Sequence, residues 1–395
     1  MVSKLIAEDW RALSGLIVHE WLEPTGGAEK VVREMAATYS DARILTLWSD
    51  GHSEIDPSRV SETWLSRTPL RSNKALAMPL MLPTWRRQLI GEADWSLVSS
   101  HLFAHHVAFR DVRKDYEKFV YVHTPARYIW EPELDARGNS AIIRGLANVL
   151  KPIDRKRASE GAHFAANSSF VRERIRRTWN QDADIIYPPV SVSAIQCVSR
   201  WSDALGPGDA DVLRKLPEEF VLSASRFVPY KRLEMAISIA EASDIPAVIA
   251  GGGPQEEALR ARGEKSSIPV YFVQRPSDQL LYALYERALA YVFMAVEDFG
   301  IMPVEAMAVG TPVICGNEGG VLETVADGIS GVHLKSKDTQ SLQHALQTAA
   351  SLDRNAIREH AKIFDAAVFR KKLVSWTGRS ATIQTLEGND EHAQR

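Results

Sequence analysis

The chain has 395 residues, a length that predicts two or three domains at roughly 150 residues each. A hydrophobic fraction of 45% and a charged fraction of 25% are those of a globular protein, and they exclude a disordered, collagen-like or disulfide-knotted chain. Lys and Arg total 47 against 50 Asp and Glu, so the formal charge of −3 gives no case for nucleic acid. The two cysteines, Cys197 and Cys315, are too few for a disulfide framework, lack metal-site spacing and read as reduced thiols. No apolar run reaches the ~20 residues of a membrane helix. Glu8, Asp9 and Arg11 stand where a signal peptide needs its apolar core. A cytoplasmic chain is expected.

In chain order, the first strand falls at 16–19 and enters a loop with Gly26 and Gly27, followed by a helix over 28–39. Strand, glycine turn and helix open an α/β unit. Further strands are expected at 43–48, 96–99, 119–123, 163–167 and 184–187, with a helix over 169–179. The connection 199–218 is weakly patterned and contains GPGD, so a domain boundary is placed at 200/201. The alternation then restarts. Strands are expected at 220–223, 247–250, 270–273, 291–295 and 312–315. Helices are expected over 231–242 and from near Pro254, Ser277 and Pro303, the prolines suiting a first helical turn. Residues beyond 369 read as closing helices, and the final NDEHAQR as a fraying end. The expected fold is α/β, with two Rossmann-like doubly wound domains, 1–200 and 201–370, and a helical tail, 371–395, packing back toward the first. Ligands in such sheets bind beyond the carboxyl ends of the strands.

The segment VEDFGIMPVEAMAVGTPVI carries the sharpest chemistry. Glu297 ends an apolar strand, Glu305 lies just inside the next helix, and Asp298, Phe299, Gly300 and Ile301 join them. Carboxylates accept hydrogen bonds from sugar or ribose hydroxyls, and free amides at a helix start serve oxygen acceptors. Glu305 equally suits the positive end of a helix. In SRFVPYKR, Arg226 and Lys231 flank a proline turn, and an Arg fork with a Lys point charge suits a diphosphate. They equally suit a solvated helix start. His123 ends a strand in YVHTPARY, either as a donor to a sugar hydroxyl or as a satisfied core histidine. His101, His105 and His106 are crowded but lack zinc spacing. No dinucleotide fingerprint or P-loop is present. Five basic and no acidic residues lie in 66–90 beside an apolar stripe, and nine basic against three acidic in 140–177. Both stretches suit an anionic membrane surface or a charged face over packed helices.

TGGAEK, YVHTPARY, IIYPPV, SRFVPYKR, GGGP, EDFGIMPVEAMAVGTPVI and GGVLETV together resemble glycosyltransferase family 4, over most of the chain. The resemblance implies a GT-B fold with two domains facing a cleft, retention of anomeric configuration and no divalent metal. It implies that Gly26 and Gly27 approach the donor phosphates and nearby acceptor and that Arg226 and Lys231 hold the diphosphate. Glu297 with Asp298, Phe299, Gly300 and Ile301 would contact the transferred sugar, Glu305 the ribose, Arg275 the base, and His123 the sugar. Gly319, Gly320 and Glu323 match the GGxxE segment that follows. The HTPxRY form is similar to bacterial polysaccharide and lipopolysaccharide mannosyltransferases, implying GDP-mannose as donor. The acceptor would be a saccharide, polyprenyl-diphosphate-linked or free, met at the inner face of the plasma membrane. HEW replaces the more frequent HDW, so Glu20 reshapes the acceptor wall. The alternatives are a UDP-sugar donor, a nucleotide-sugar epimerase, and a non-catalytic sugar-binding or scaffold protein.

Overall fold

A computed structural model describes residues 15–24, 26–51, 54–131 and 141–381. The fraying end and the residues before 15 lie outside these, as does Thr25. Among the described residues no helix is long and apolar enough to cross a membrane.

The chain forms two α/β units. The first sheet contains β1 (Gly15–His19), β2 (Arg43–Thr46), β3 (Val60–Glu62), β4 (Trp95–Ser100), β5 (Glu117–Val122), β6 (His163–Ala166) and β7 (Asp184–Ile185), all parallel, in the order β3-β2-β1-β4-β5-β6-β7. The central strand β1 is buried along its whole length and reads Gly-Leu-Ile-Val-His, the near-continuous apolar run of a strand covered on both faces. Val18 pairs with Val98 and His19 with Ser99 across β1 and β4. Strand order reverses at this pair, which makes it the topological switch point. The helix Gly27–Thr38 buries Val31, Val32, Met35 and Ala36, one face at helical spacing.

The second sheet contains β8 (Val221–Arg226), β9 (Ala247–Gly252), β10 (Val270–Gln274), β11 (Ala290–Phe293), β12 (Val313–Cys315) and β13 (Gly331–His333), all parallel, in the order β10-β9-β8-β11-β12-β13. Its switch point lies between β8 and β11, where Leu222 pairs with Tyr291. Apolar cores lie on both faces of this sheet.

The chain enters the second unit at Tyr187, ahead of the boundary expected at 200/201. Residues 187–200 belong there because Val190, Val192 and Ile195 bury in its core. Val190 also exchanges backbone hydrogen bonds with Phe364 and Ala366. Ser168–Phe170 group with the second unit as well, and Arg370 to Ala381 with the first. In the first unit the helix Ala366–Thr377 lays Trp376 against Phe119 at 5.3 Å, Thr377 bonds Tyr39 at 2.6 Å and Arg370 bonds Glu34 at 2.5 Å.

Two helix starts differ from the sequence reading. The helix expected over 231–242 begins at Glu234, because Pro229–Lys231 form a tight 3-10 turn and Arg232 takes a left-handed φ of 51°. The helix expected from Pro303 begins at Ile301, capped by Gly300 at φ 102°. Pro303 is tolerated as its third residue, since the first four amides of a helix have no intrahelical acceptor.

Candidate functional site

In the second unit, the loops leaving the carboxyl ends of β8 and β11 bring charge to the switch point. Arg226 ends β8, is exposed, and donates to the Tyr230 hydroxyl at 3.3 Å. The tight turn after it, closed by the Lys231 amide on the Val228 carbonyl at 3.0 Å, sends Lys231 inward. The Lys231 side chain is only 9% exposed, and its Nζ forms an ion pair with Glu297 Oε1. The ammonium also lies 5.8 Å from the Phe293 ring centroid and 5.3 Å from that of Tyr230. Glu297 keeps 25% of its side chain exposed. A half-buried ion pair open on one side can exchange partners when an anion enters.

The loop after Glu297 is held by its neighbours. The Gly320 amide donates to the Glu297 carbonyl at 2.8 Å, and a Cβ on Gly320 would lie 2.1 Å from the Asp298 carbonyl oxygen. Only glycine permits that approach. Phe299 is buried, with ring centroids 5.7 Å from Tyr187 and 5.5 Å from Phe364, so its side chain is spent on packing and only its backbone is left for a ligand. Glu305 is the fifth residue of its helix, and no acidic residue occupies the first turn, so the helix-dipole reading of Glu305 loses its basis. Arg275 is exposed, with a left-handed φ of 39°, and its amide donates to Gly251 at 2.9 Å. Glu323 accepts from the Ser169 amide and hydroxyl at 2.7 Å each and from the Phe170 amide at 2.9 Å. Its carboxylate fixes backbone.

In the first unit the switch point carries imidazoles. His123 follows β5, and its Nε2 lies 2.8 Å from Ser99 Oγ. Burial pushes its pKa down to about 3, and that of His19 to about 4, so both rings are neutral. Gly26 caps the helix Gly27–Thr38 and has an extended φ of 175°, so no left-handed strain requires glycine there. Gly27 lines a cavity of about 440 Å³ with Trp21, Glu29, Lys74, Met78 and His101. Glu20 is fully buried beneath it.

The crowded histidines divide between two clusters. His105 Nε2 and His106 Nε2 lie 3.0 and 2.8 Å from Asp154 Oδ1, while the indoles of Trp130 and Trp179 donate to Oδ2 at 2.7 and 2.6 Å. Asp154 is thus a buried acceptor for His106 and the two indoles, with His105 in ion-pair contact beside them. The Trp130 ring is held in place by Asp154. His101 belongs to the other cluster, with His19 and Glu20. Sequence reasoning did not single out Asp154, since a lone acid inside a basic helix gives no local signal.

Ion pairing reduces the charge available to a membrane. Arg71 pairs with Asp50, and Lys74 and Arg86 reach Glu23 and Glu160 at 2.5 Å each. Arg157 reaches Glu160 at 2.5 Å, Arg172 and Arg176 reach Asp182 at 2.7 and 3.0 Å, and Arg174 and Arg177 pair with Glu131. Arg67 and Arg87 are exposed, as are Trp64, Leu76, Leu80 and Leu89.

Residues 209–364 match the family described as glycosyl transferases group 1. The chain is 24% identical over 287 residues to O-antigen chain mannosyltransferase C of Escherichia coli, covering 65% of this chain and 74% of that protein. It is 25% identical over 366 residues to D-rhamnosyltransferase WbpZ of Pseudomonas aeruginosa, covering 87% and 90%. A GDP-mannose-dependent phosphatidylinositol monomannoside mannosyltransferase of Mycolicibacterium smegmatis is 28% identical over 218 residues, covering 45% of this chain and 55% of that protein. The chain spans about half the length of several curated relatives it matches. The structure of HepE from Anabaena in complex with UDP aligns over 92% of this chain and 99% of that one, with TM-score 0.66 and 18% identity. Its complex with UDP-glucose aligns with TM-score 0.62. The chain is a glycosyltransferase with the GT-B fold, similar over residues 209–364 to the group 1 enzymes and over longer stretches to bacterial sugar transferases.

Proposed function

We propose that the chain moves a hexose, with retention, from a nucleoside diphosphate sugar to a saccharide or lipid-linked saccharide of a bacterial surface polymer. The observation that carries this reading is the Lys231–Glu297 pair, open on one side at the second unit's switch point, with Arg226 at the neighbouring strand end. An entering diphosphate gives Lys231 phosphate oxygens and gives Arg226 a bidentate partner. As the bond from the anomeric carbon to the phosphate oxygen breaks, negative charge grows on the diphosphate and positive charge on the sugar. The two cations stabilise that diphosphate more in the transition state than in the bound donor, which lowers the barrier. The acceptor hydroxyl oxygen bonds to the anomeric carbon on the leaving-group face, and a donor phosphate oxygen takes its proton. Glu297 accepts from hydroxyls of the transferred sugar, with the backbone of Asp298, Phe299, Gly300 and Ile301 beside it. Glu305 is assigned to the ribose, Arg275 to the base, Gly26 and Gly27 to the donor phosphates and nearby acceptor, and His123 to the transferred sugar. No divalent metal is assigned, because Lys231 and Arg226 supply the positive charge.

A UDP-sugar is the leading donor, supported by the bound UDP and UDP-glucose of the fold neighbour that aligns along nearly the whole chain. GDP-mannose is the second reading, supported by the mannosyltransferase relatives. Thermal shift with UDP and GDP separates them, followed by transfer from UDP-glucose and GDP-mannose to membrane extract with product mass and linkage analysis. Tighter binding of UDP and transfer from a UDP-sugar support the first reading, and the reverse order selects the second. Binding without transfer to any acceptor in the extract leaves a sugar-binding protein. Transfer that persists in EDTA is expected. The enzyme is further assigned to the cytoplasmic face of the membrane, touching lipid through Trp64, Leu76, Leu80 and Leu89 with Arg67 and Arg87.

A further inference from the structure

The cavity of the first unit holds a histidine–carboxylate dyad that the donor chemistry leaves unused. Resting on the functional reading above, we propose that His101 is an acceptor-binding residue whose outer ring nitrogen hydrogen-bonds an oxygen of the acceptor sugar, and that Glu20 is the positioning residue behind it.

Glu20 leaves β1 and reaches across the switch point to the loop after β4. Its Oε1 accepts from the amides of His101, Leu102 and Ala104 at 3.1, 2.8 and 2.9 Å, and from Ser100 Oγ at 3.3 Å. So many donors on one oxygen fix the carboxylate and keep it ionised. Its Oε2 is left for His101 Nδ1, at 3.1 Å. An aspartate would draw the carboxylate back by one carbon–carbon bond, about 1.5 Å. The extra methylene of Glu20 therefore lets one group both order the loop and touch the ring.

Packing fixes the other coordinates of His101. Its ring stands edge-on to Trp21 at 4.8 Å between centroids, with His19 at 5.4 Å and His123 at 6.4 Å. A quarter of the side chain, 24%, remains exposed, and it lines the 440 Å³ cavity with Glu29 and Met78. This is the switch point of the sheet, where a ligand is expected. The groups facing His101 are Glu20 beneath it, His19 at the end of β1, His123 after β5, Glu29 from the first helix, and Lys74 with its partner Glu23 from the helix Lys74–Trp85. Burial opposes a charge on His101, but the Glu20 carboxylate outweighs it and raises the pKa. His19 and His123 stay neutral, so of these three rings His101 is the one whose protonated form its surroundings favour. With Nδ1 facing Glu20 Oε2 at 3.1 Å, the ring when protonated offers its Nε2–H as a donor. Burial also raises the Glu29 carboxyl, which adds a second polar contact in the cavity for a sugar hydroxyl.

The test uses octyl α-mannoside and octyl β-glucoside as acceptor probes, with the donor that the wild-type chain uses. H101Q is expected to raise the acceptor KM by about tenfold or more, the loss expected for one charge-assisted hydrogen bond. Donor hydrolysis without acceptor should stay unchanged. In the wild type, acceptor kcat/KM falls as pH rises through the raised pKa of His101. E20D, which retains the charge but withdraws it, moves that alkaline limb to lower pH, and imidazole NMR shows the same displacement in the His101 titration. An unchanged KM in H101Q with donor hydrolysis intact overturns the proposal. So does an unmoved alkaline limb in E20D, or the absence of saturable use of either glycoside. If the wild-type chain neither binds nor hydrolyses a nucleotide sugar, the functional reading fails instead. The dyad is then judged by glycoside-induced shifts at the His101 imidazole, whose absence overturns it.

Discussion

The two units repeat one plan, and the same position in each carries opposite electrostatics. Between β1 and β4 stand His19, His101 and His123 with Glu20 beneath, and the carboxylate is fully buried and already bonded to backbone. Between β8 and β11 stand Arg226, Lys231 and Glu297, and their ion pair keeps an exposed side. The first edge is organised by its own hydrogen bonds and presents directional donors and acceptors. The second holds charge that an incoming anion can recruit. A parallel sheet thus supplies the place where ligands gather, while the loops leaving the strands decide which chemistry is done there.

This contrast is open to direct attack. The largest effect is expected from D154A, which leaves His105, His106 and the indoles of Trp130 and Trp179 without their shared acceptor. A loss of about 3–5 kcal/mol from the first unit should appear in denaturant unfolding followed by tryptophan fluorescence. Trp201 is the only described tryptophan of the second unit, so the signal reports chiefly on the first. A cost below ~1 kcal/mol would show that the cluster is incidental. Next comes K231A, expected to slow transfer by roughly 10²–10³-fold and to weaken nucleotide binding, with the His101 and His123 titrations unmoved. Movement of those titrations would show that the two edges are not chemically separate.

Acid provides a third, smaller test. His19, His106 and His123 titrate near 4, 4 and 3 in the folded chain because burial disfavours their charge, against about 6.5 when unfolded. Between those values the unfolded chain binds protons that the folded chain refuses, so stability is present above pH 6.5 and falls as pH drops below it. Part of the loss is offset by His101, which shifts the other way. A loss of roughly 2 kcal/mol for each of the three rings by pH 5, before the His101 offset, is expected in the tryptophan-reported transition. A flat stability between pH 7 and 5 would contradict the buried neutral rings. The smallest effect belongs to L76S combined with L80S on the exposed face of the helix Lys74–Trp85. Folding should change by less than ~0.5 kcal/mol, while sedimentation with anionic vesicles declines. Unchanged sedimentation would remove this face from the membrane assignment.

Much of the fold was legible because buried parallel strands write themselves as short apolar runs. The two strands missed, Val60–Glu62 and Gly331–His333, have three residues each and only one aliphatic side chain apiece. The start at Ile301 was obscured because Gly300 caps that helix by its backbone conformation, with no Ser, Thr, Asp or Asn to announce it. Arg226, Lys231, Glu297 and Glu305 stood out through their motifs. Their pairing did not, since Lys231 and Glu297 are 66 positions apart and meet only when β8 and β11 become neighbours. Glu20 was noticed as a departure from a familiar triplet, but the donors to its carboxylate lie 80 to 84 positions away, and no local pattern encodes them. Glu305 falls outside the first turn because the helix starts two residues earlier than Pro303 suggests.

The second unit's ion pair is assigned as the seat of a diphosphate, and a crystal structure with UDP or GDP bound tests this most directly. It should place phosphate oxygens within hydrogen-bonding distance of Lys231 Nζ and the Arg226 guanidinium, with the ribose hydroxyls against Glu305. A nucleotide bound with its phosphates away from both cations, and Lys231 still committed to Glu297 alone, would contradict it.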